Sequence, residues 1–403
     1  MSGYFSERFA TGTHDPLRAR ALWIGDGDGE VEIVLCDLIG LPAAITRRVR
    51  EEASRRTGIA FERIIVAATH SHTGPLFHGP LHDLFHRRAV AKHGSDPHEP
   101  IDYPAELIRR IVDAIDRARA RARPRALACG LGEAHGLSFH RRFEMRDGTV
   151  RFNPGKLNPD IVRPVGPIDP QVGVLAIFDA EKASPVASLA CFALHLDTVG
   201  GTEYSADYPL WIERALRGSY GDSFQSLFAT GPCGNINHID VTHDRRQSGQ
   251  EEARRIGRAL AEIVRETIGS ARPLVPRIGC ATRKVRVPLQ TYSAEEKAAA
   301  REKLERLGEL PFLESVEAAK IRSLELMASD TIELEVTAVR LSNDVALVAL
   351  PGEVFVELGL AIRERSPFET TIVLELANDA PAYIPTRRGF EEGGYEAINS
   401  RVA

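Results

Sequence analysis

The chain has 403 residues, 43% hydrophobic and 27% charged, with 51 Lys and Arg against 56 Asp and Glu for a formal net charge of −5. That is a globular composition with room for a sizeable core, and the charge balance, lacking any basic stripe interleaved with aromatics, excludes nucleic acid as the expected partner. Met1 to Arg8 has no apolar signal-peptide core and no apolar run approaches the ~20 residues that cross a bilayer, so a cytoplasmic chain without a membrane partner is expected.

In chain order, Gly25-Asp26-Gly27-Asp28-Gly29 reads as a turn between two strands. It is not a calcium loop, because counting from Asp26 the sixth position is Val31 where glycine is needed and the twelfth is Asp37 where glutamate is expected. Glu30 to Asp37 predicts a buried strand, Leu41 to Arg56 an amphipathic helix and Arg63 to Thr69 the next strand. Residues 76–104, rich in His, Pro and charge, suit a lid. Within them His78, His82 and His86 at i, i+4, i+8 offer a second metal face on a helix, but the plainer reading, the polar face of a lid over the cleft, is preferred. A helix follows near Ala105 to Ala122, then strands near Val172 to Phe178 and Val186 to Leu194, a helix from Leu210, a strand near Phe224 to Phe228 and a helix from Gln250 to Ile268. Strands recur near Ile278 to Val287, Ile332 to Leu341 and Val345 to Leu350, with a helical insertion at 293–329, a helix starting near Glu353 and a last strand at Thr370 to Leu376. Such alternation indicates an α/β protein with a mixed β-sheet core flanked by helices, read here as a single domain over 1–403.

Five places share one pattern, an apolar strand running into a polar or glycine-bearing turn. They are Ile64-Ile65-Val66-Ala67-Ala68-Thr69-His70-Ser71-His72, Leu189-Ala190-Cys191-Phe192-Ala193-Leu194-His195, Leu227-Phe228-Ala229-Thr230-Gly231-Pro232-Cys233-Gly234-Asn235-Ile236-Asn237-His238, Val348-Ala349-Leu350-Pro351-Gly352-Glu353, and Leu376-Ala377-Asn378-Asp379-Ala380-Pro381-Ala382-Tyr383-Ile384-Pro385-Thr386-Arg387. Residues two apart on an extended strand point to one face, so His70 and His72 can reach one small ion, and open sheets gather ligands at the carboxyl ends of strands. Three histidines and a carboxylate at strand ends match the N/O donor set of a catalytic zinc site. Each also has a plainer reading, a satisfied core histidine at His195 and a helix-start carboxylate at Glu353. The five cysteines, odd in number and without Cys-x-x-Cys spacing, fit no disulfide framework or thiolate site, and Cys233 beside glycines reads as a second candidate nucleophile with His238 or His195 as base.

Ala-Thr-His-Ser-His-Thr-Gly-Pro, the Phe-Ala-Leu-His strand, the Gly234-Asn235 loop, Leu-Pro-Gly-Glu and Ala-Tyr-Ile-Pro-Thr followed by Glu392-Gly393-Gly394-Tyr395-Glu396 together resemble the amino-terminal catalytic domain of the neutral/alkaline, non-lysosomal ceramidase family, in the same order from Gly12 to Glu396. The resemblance implies a zinc-dependent amidase. It implies metal ligands at His70, His72, His195 and Glu353, Tyr383 as a further ligand or close neighbour, and an active-site role for the Arg141-Arg142 segment. The sequence departs from the family in the glycine loop, where Asn237 stands in the place of the serine assigned a direct catalytic role. With no room seen for an immunoglobulin-like domain, the chain is expected to be a divergent member and not a true ceramidase.

The leading expectation is a zinc-dependent hydrolase, amidase-like, acting on an amide or related bond of a small polar substrate through a metal-activated water. Tyr383, Arg142 and Asn237 are its catalytic candidates, the first two placed to meet the developing oxyanion, and Asp197 and Asp207 are candidate orienters of the imidazoles. The alternatives are a zinc-dependent lyase or isomerase of a sugar-like substrate and a metal-binding homologue without catalysis. Self-association into a homo-oligomer stays open.

Overall fold

Every residue of the strand Glu30–Cys36 after the first is buried, and this two-faced burial sets the layering. Val31, Ile33 and Leu35 enter one core, whereas Val34 and Cys36 enter another, as period-2 side-chain alternation requires. The computed structural model describes residues 1–403.

The mixed β-sheet core flanked by helices that the pattern predicts is built from three principal sheets. The first orders Ala19–Gly25, Glu30–Cys36 and Ile64–Ala68. The second orders Gln225–Thr230, Pro185–Phe192, Gln171–Asp179, Arg125–Glu133 and the two-residue Arg272–Pro273. The third orders Gly279–Pro288, Thr331–Arg340, Val345–Ala349 and Thr370–Leu374. Their inner faces enclose a common core to which the first gives Ile33 and Ile65, the second Leu175 and Leu189, and the third Val339 and Leu347. Helices Ala43–Thr57 and Tyr103–Ala120 cover the outer face of the first sheet through Val49, Ile111 and Ile115, and helices Tyr208–Tyr220 and Gln250–Ser270 cover the second through Ile212, Ile256 and Val264. Each such fully buried aliphatic side chain contributes roughly 1.5–3 kcal/mol of transfer free energy. No helix is long and apolar enough to cross a membrane.

All three sheets are mixed, and each contains one parallel pair joined through a helix. These are Glu30–Cys36 with Ile64–Ala68 across Ala43–Thr57, Pro185–Phe192 with Gln225–Thr230 across Tyr208–Tyr220, and Val345–Ala349 with Thr370–Leu374 across Val356–Glu364. A parallel pair requires such a crossover, and it leaves both carboxyl ends at the same edge. Those edges are stitched together. Ala68 N–H donates to Leu376 O at 3.2 Å, Asn378 N–H to Val66 O at 2.8 Å, Glu375 N–H to Thr230 O at 2.9 Å and the Thr230 hydroxyl to Thr69 O at 2.6 Å.

Several predicted elements fall where expected, and others differ for identifiable reasons. Gly25 to Gly29 is a hairpin turn, with Asp26 accepting from the Asp28 and Gly29 amides. Residues 76–104 carry a helix, Pro80–His93, begun by its proline, and 293–329 carries two, Ala294–Glu305 and Phe312–Glu325. These excursions share a small core through Leu84, Ala300, Leu304 and Ala318. Glu353 does not start a helix. It lies in a two-residue parallel bridge, Glu353–Val354 against Tyr383–Ile384, and the helix begins at Val356. The left-handed turn at Gly352 (φ 76°) re-aims the chain first, and a Cβ there would come within 2.7 Å of Ala382 O.

Candidate metal centre

The strand carrying the His-x-His pair ends at Ala68, and His70 has φ 77°, so the two rings do not converge by strand alternation. A left-handed backbone at a non-glycine residue costs about 1–3 kcal/mol and persists where surrounding contacts over-determine it. Here they do. His70 N–H donates to Leu38 O at 2.9 Å, and its ring Nδ1 donates to Ile39 O at 2.7 Å. The turn brings His70 Nε2 within 3.3 Å of His72 Nε2.

His195 follows the end of Pro185–Phe192 in the second sheet, and its Nδ1 donates to Cys233 O at 2.9 Å. His72 Nδ1 donates to Gly3 O at 3.1 Å. With every Nδ1–H committed to a backbone carbonyl, all three Nε2 atoms carry free lone pairs, the outer-contact pattern that orients metal-ligating imidazoles. Ring nitrogens of the three lie within 4.8 Å of one another. From the turn that follows Val345–Ala349 of the third sheet, Glu353 Oε2 comes within 3.4 Å of His70 Nε2 and 3.3 Å of His195 Nε2. His195 Nε2 and Glu353 Oε2 are both buried without a hydrogen-bond partner.

Electrostatics point the same way. Burial pushes the His72 pKa down to about 4 and holds that of His195 well below the ordinary value, so both rings are neutral. Burial also opposes charge on Glu353, but His70 and His195 outweigh it and hold the carboxyl well below its usual range. At His70 burial is outweighed by the Glu353 carboxylate, which raises the pKa, the direction expected beside an ionised carboxylate that attracts positive charge. Neutral imidazoles, an ionised carboxylate and orphaned donor atoms together fit a divalent cation.

Tyr383 sits opposite Glu353 in the parallel bridge, is 3% exposed, and turns its phenol toward Glu353 and the Arg141 guanidinium. The structure brings Arg141, and not Arg142, to the cluster. Arg141 donates to Glu396 Oε1 at 2.8 Å and Gly234 O at 2.7 Å, with its Cζ 5.4 Å from the Tyr383 ring. Arg142 instead donates to Gly389 O and Gly393 O and lies over Phe355, because successive residues of an extended segment face opposite ways. Asn237 donates to Asn153 Oδ1 at 2.9 Å and accepts from Ile239 N–H, which fixes the loop. Asp197 is 3.5 Å from His72 Nδ1 and accepts the Tyr4 hydroxyl at 2.5 Å, whereas Asp207 is spent on the amides of Thr198, Val199 and Tyr208. The Cys233 thiol is fully buried, donates to Glu375 at 3.1 Å, and is pushed well above its ordinary pKa by that burial, while His238 turns away to Gln247 O at 2.7 Å. No activated thiol results.

Two solved structures match along 100% of this chain at a TM-score of 0.72, a ceramidase complexed with C2 (19% identical, 69% of that chain) and the neutral ceramidase from Pseudomonas aeruginosa (20% identical, 68% of that chain). The chain folds as a neutral-ceramidase-like domain. The curated neutral ceramidase of Mycobacterium tuberculosis is 26% identical over 246 residues, covering 55% of this chain, and the match spans 37% of that relative's length. No family model matches. In this neutral-ceramidase-like fold the three parallel pairs supply the donors, one sheet giving His70 and His72, one His195 and one Glu353.

Sequence reasoning missed Gly3 and Tyr4, which pack a strap from the amino-terminal segment onto His72. Arg8 clamps this strap by donating to Ser2 O and to His72 O, the latter at 2.9 Å, and the Tyr4 ring meets the His72 edge at 5.9 Å. Residues this far apart in sequence leave no local pattern to read.

Proposed function

We propose that the chain is a zinc-dependent hydrolase that cleaves an amide or related bond in a small polar substrate. The observation that carries this reading is the convergence of three Nε2 atoms and the Glu353 carboxylate, with every Nδ1–H engaged behind them. His70, His72, His195 and Glu353 would hold the ion. When bound, zinc supplies Lewis acidity, polarising a carbonyl oxygen and lowering the pKa of a water from about 15.7 toward about 7.

The remaining steps belong to the protein. The loop from Gly231 to His238 contains no serine or threonine, and Asn237 is engaged with Asn153, so that loop offers no hydroxyl to attack and a water serves as nucleophile. Tyr383 donates its phenolic hydrogen to the oxyanion that develops on the carbonyl, and burial keeps the phenol protonated for that task. Arg141, tied to Glu396 and Gly234, fixes a positive charge beside Tyr383 that favours the same charge development. The matched relatives bear the name ceramidase, and amide cleavage is the chemistry carried over from them. The small polar substrate is inferred from the charge and phenols gathered beside Glu353, where the Arg141 guanidinium lies against Tyr383 and Tyr395.

Zinc content and released primary amine, measured on N-acyl amino acids, N-acetyl sugars and micellar C2-ceramide, test the proposal. Bound zinc, turnover of a small amide and loss of turnover to background in His72→Ala are expected. Equal activity in zinc-free protein with chelator would end the metal reading, and faster cleavage of ceramide than of every small amide would end the substrate reading.

A further inference from the structure

A second cluster of histidine and carboxylate side chains lies on the 76–104 excursion and shares no residue with the centre above. Helix Pro80–His93 presents His82 and His86 one turn apart, with rings stacked at 6.0 Å. The loop that follows returns Asp96 and Glu99 to them. His86 Nδ1 lies 3.2 Å from Asp96 Oδ2 and 3.0 Å from Glu99 Oε2. One ring nitrogen carries at most one hydrogen and cannot satisfy both carboxylates.

The other carboxylate oxygens are already engaged. Asp96 Oδ1 accepts the His98 N–H at 2.9 Å, and Glu99 Oε1 pairs with His82 Nε2 at 2.5 Å. Three atoms are left pointing at one another, His86 Nδ1, Asp96 Oδ2 and Glu99 Oε2, all within 4.8 Å. Tetrahedral zinc with ligand bonds of about 2.0–2.2 Å spaces its donors about 3.3–3.6 Å apart, a few tenths of an ångström beyond the two separations from His86 Nδ1. His86 and Glu99 also line a cavity of about 1010 Å³ bounded by Phe9, Phe85 and Tyr103.

We propose that His86, Asp96 and Glu99 bind a divalent transition-metal ion, zinc by its donor set, with His82 holding Glu99 in orientation and a fourth position open to the cavity. Binding through Nδ1 moves the imidazole hydrogen of His86 to Nε2, so the ring stays neutral and the two carboxylates balance the charge of the ion. The ion fastens residues 94–102 to the helix. The claim is independent of the chemistry proposed for the inner centre.

The test strips the full chain with chelator, returns zinc alone and counts ions per chain by native mass spectrometry. Two ions are expected in the wild type, one in His86→Gln/Glu99→Gln, and one in a variant with His70, His72 and His195 all replaced by Ala. The proposal is overturned if His86→Gln/Glu99→Gln binds as many ions as the wild type, or if the triple-alanine variant binds none. Should the double variant fail to fold, Asp96→Asn and zinc-dependent hydrogen-exchange protection of residues 94–102 in the wild type serve instead. Zinc that leaves both the protection and the Asp96→Asn count unchanged refutes the site.

Discussion

The two histidine and carboxylate clusters use the same donors and are built in opposite ways. The inner one takes residues 70, 72, 195 and 353 from three sheets, and the outer one takes residues 82 to 99 from one helix and its following loop. In the inner cluster the backbone consumes every Nδ1–H and leaves Nε2 lone pairs buried. In the outer one the side chains partly satisfy one another at the surface. The inner geometry is therefore imposed by the stitched strand ends, whereas the outer geometry depends on the loop that carries Asp96 and Glu99 back to the helix. Metal removal should leave the first cluster in shape and loosen the second.

The largest expected effect separates ligand from donor at the inner centre. Tyr383→Phe should lower kcat by about 10²–10³-fold, the usual loss on deleting one oxyanion donor, while zinc remains bound. Steady-state kinetics and zinc content on the same preparation check this. If the zinc leaves with the hydroxyl, Tyr383 is a fifth ligand and the two clusters differ in donor number as well as in origin.

A smaller effect should come from the carbonyls behind the rings. Gly3 has φ 105°, and a Cβ there would lie 2.6 Å from His72 O, so Gly3→Ala must push the strap off His72 and stretch the bond from Nδ1 to Gly3 O. Loss of such an outer contact typically weakens metal binding about 10–100-fold. Competition with a zinc-sensitive dye should show that change at the inner centre and none at the outer. Unchanged affinity at the inner centre would mean that the strap only covers it.

These contrasts explain what the sequence discloses. Apolar strands ending in polar turns mark Ile64–Ala68, Pro185–Phe192 and Val345–Ala349, because burial demands their composition and the donors follow immediately. His70, His72, His195 and Glu353 are legible for that reason. That the sheets are three is not legible, since pairing between distant strands depends on which faces share a core. Nor is the φ 77° turn at His70, which arises from carbonyls at Leu38 and Ile39. Arg141 and Arg142 are chemically identical in the sequence, and only the registry of Phe139–His140 with Ile236–Asn237, with the Arg141 amide bonded to Asn235 O, decides which one faces the centre.

A buried carboxylate without histidines sharpens the comparison further. Glu32 is fully buried with neither oxygen paired, as Glu353 Oε2 is, but no imidazole meets it. Burial raises its pKa well above 4.5, helped by Glu30 and only partly countered by Arg119, where Glu353 is lowered. The folded chain thus keeps a proton at Glu32 that the unfolded chain gives up above pH 4.5, so this residue's contribution to stability falls as pH rises through that window. Glu32→Leu should stabilise the fold by about 1–3 kcal/mol at pH 8, the cost of an unsatisfied buried polar group, and by less at pH 5. Urea unfolding of both proteins at the two pH values checks the sign. A gain that is larger at pH 5 would mean that Glu32 is ionised and paired in the folded chain, and that orphaned carboxylates here mark cation sites wherever they occur.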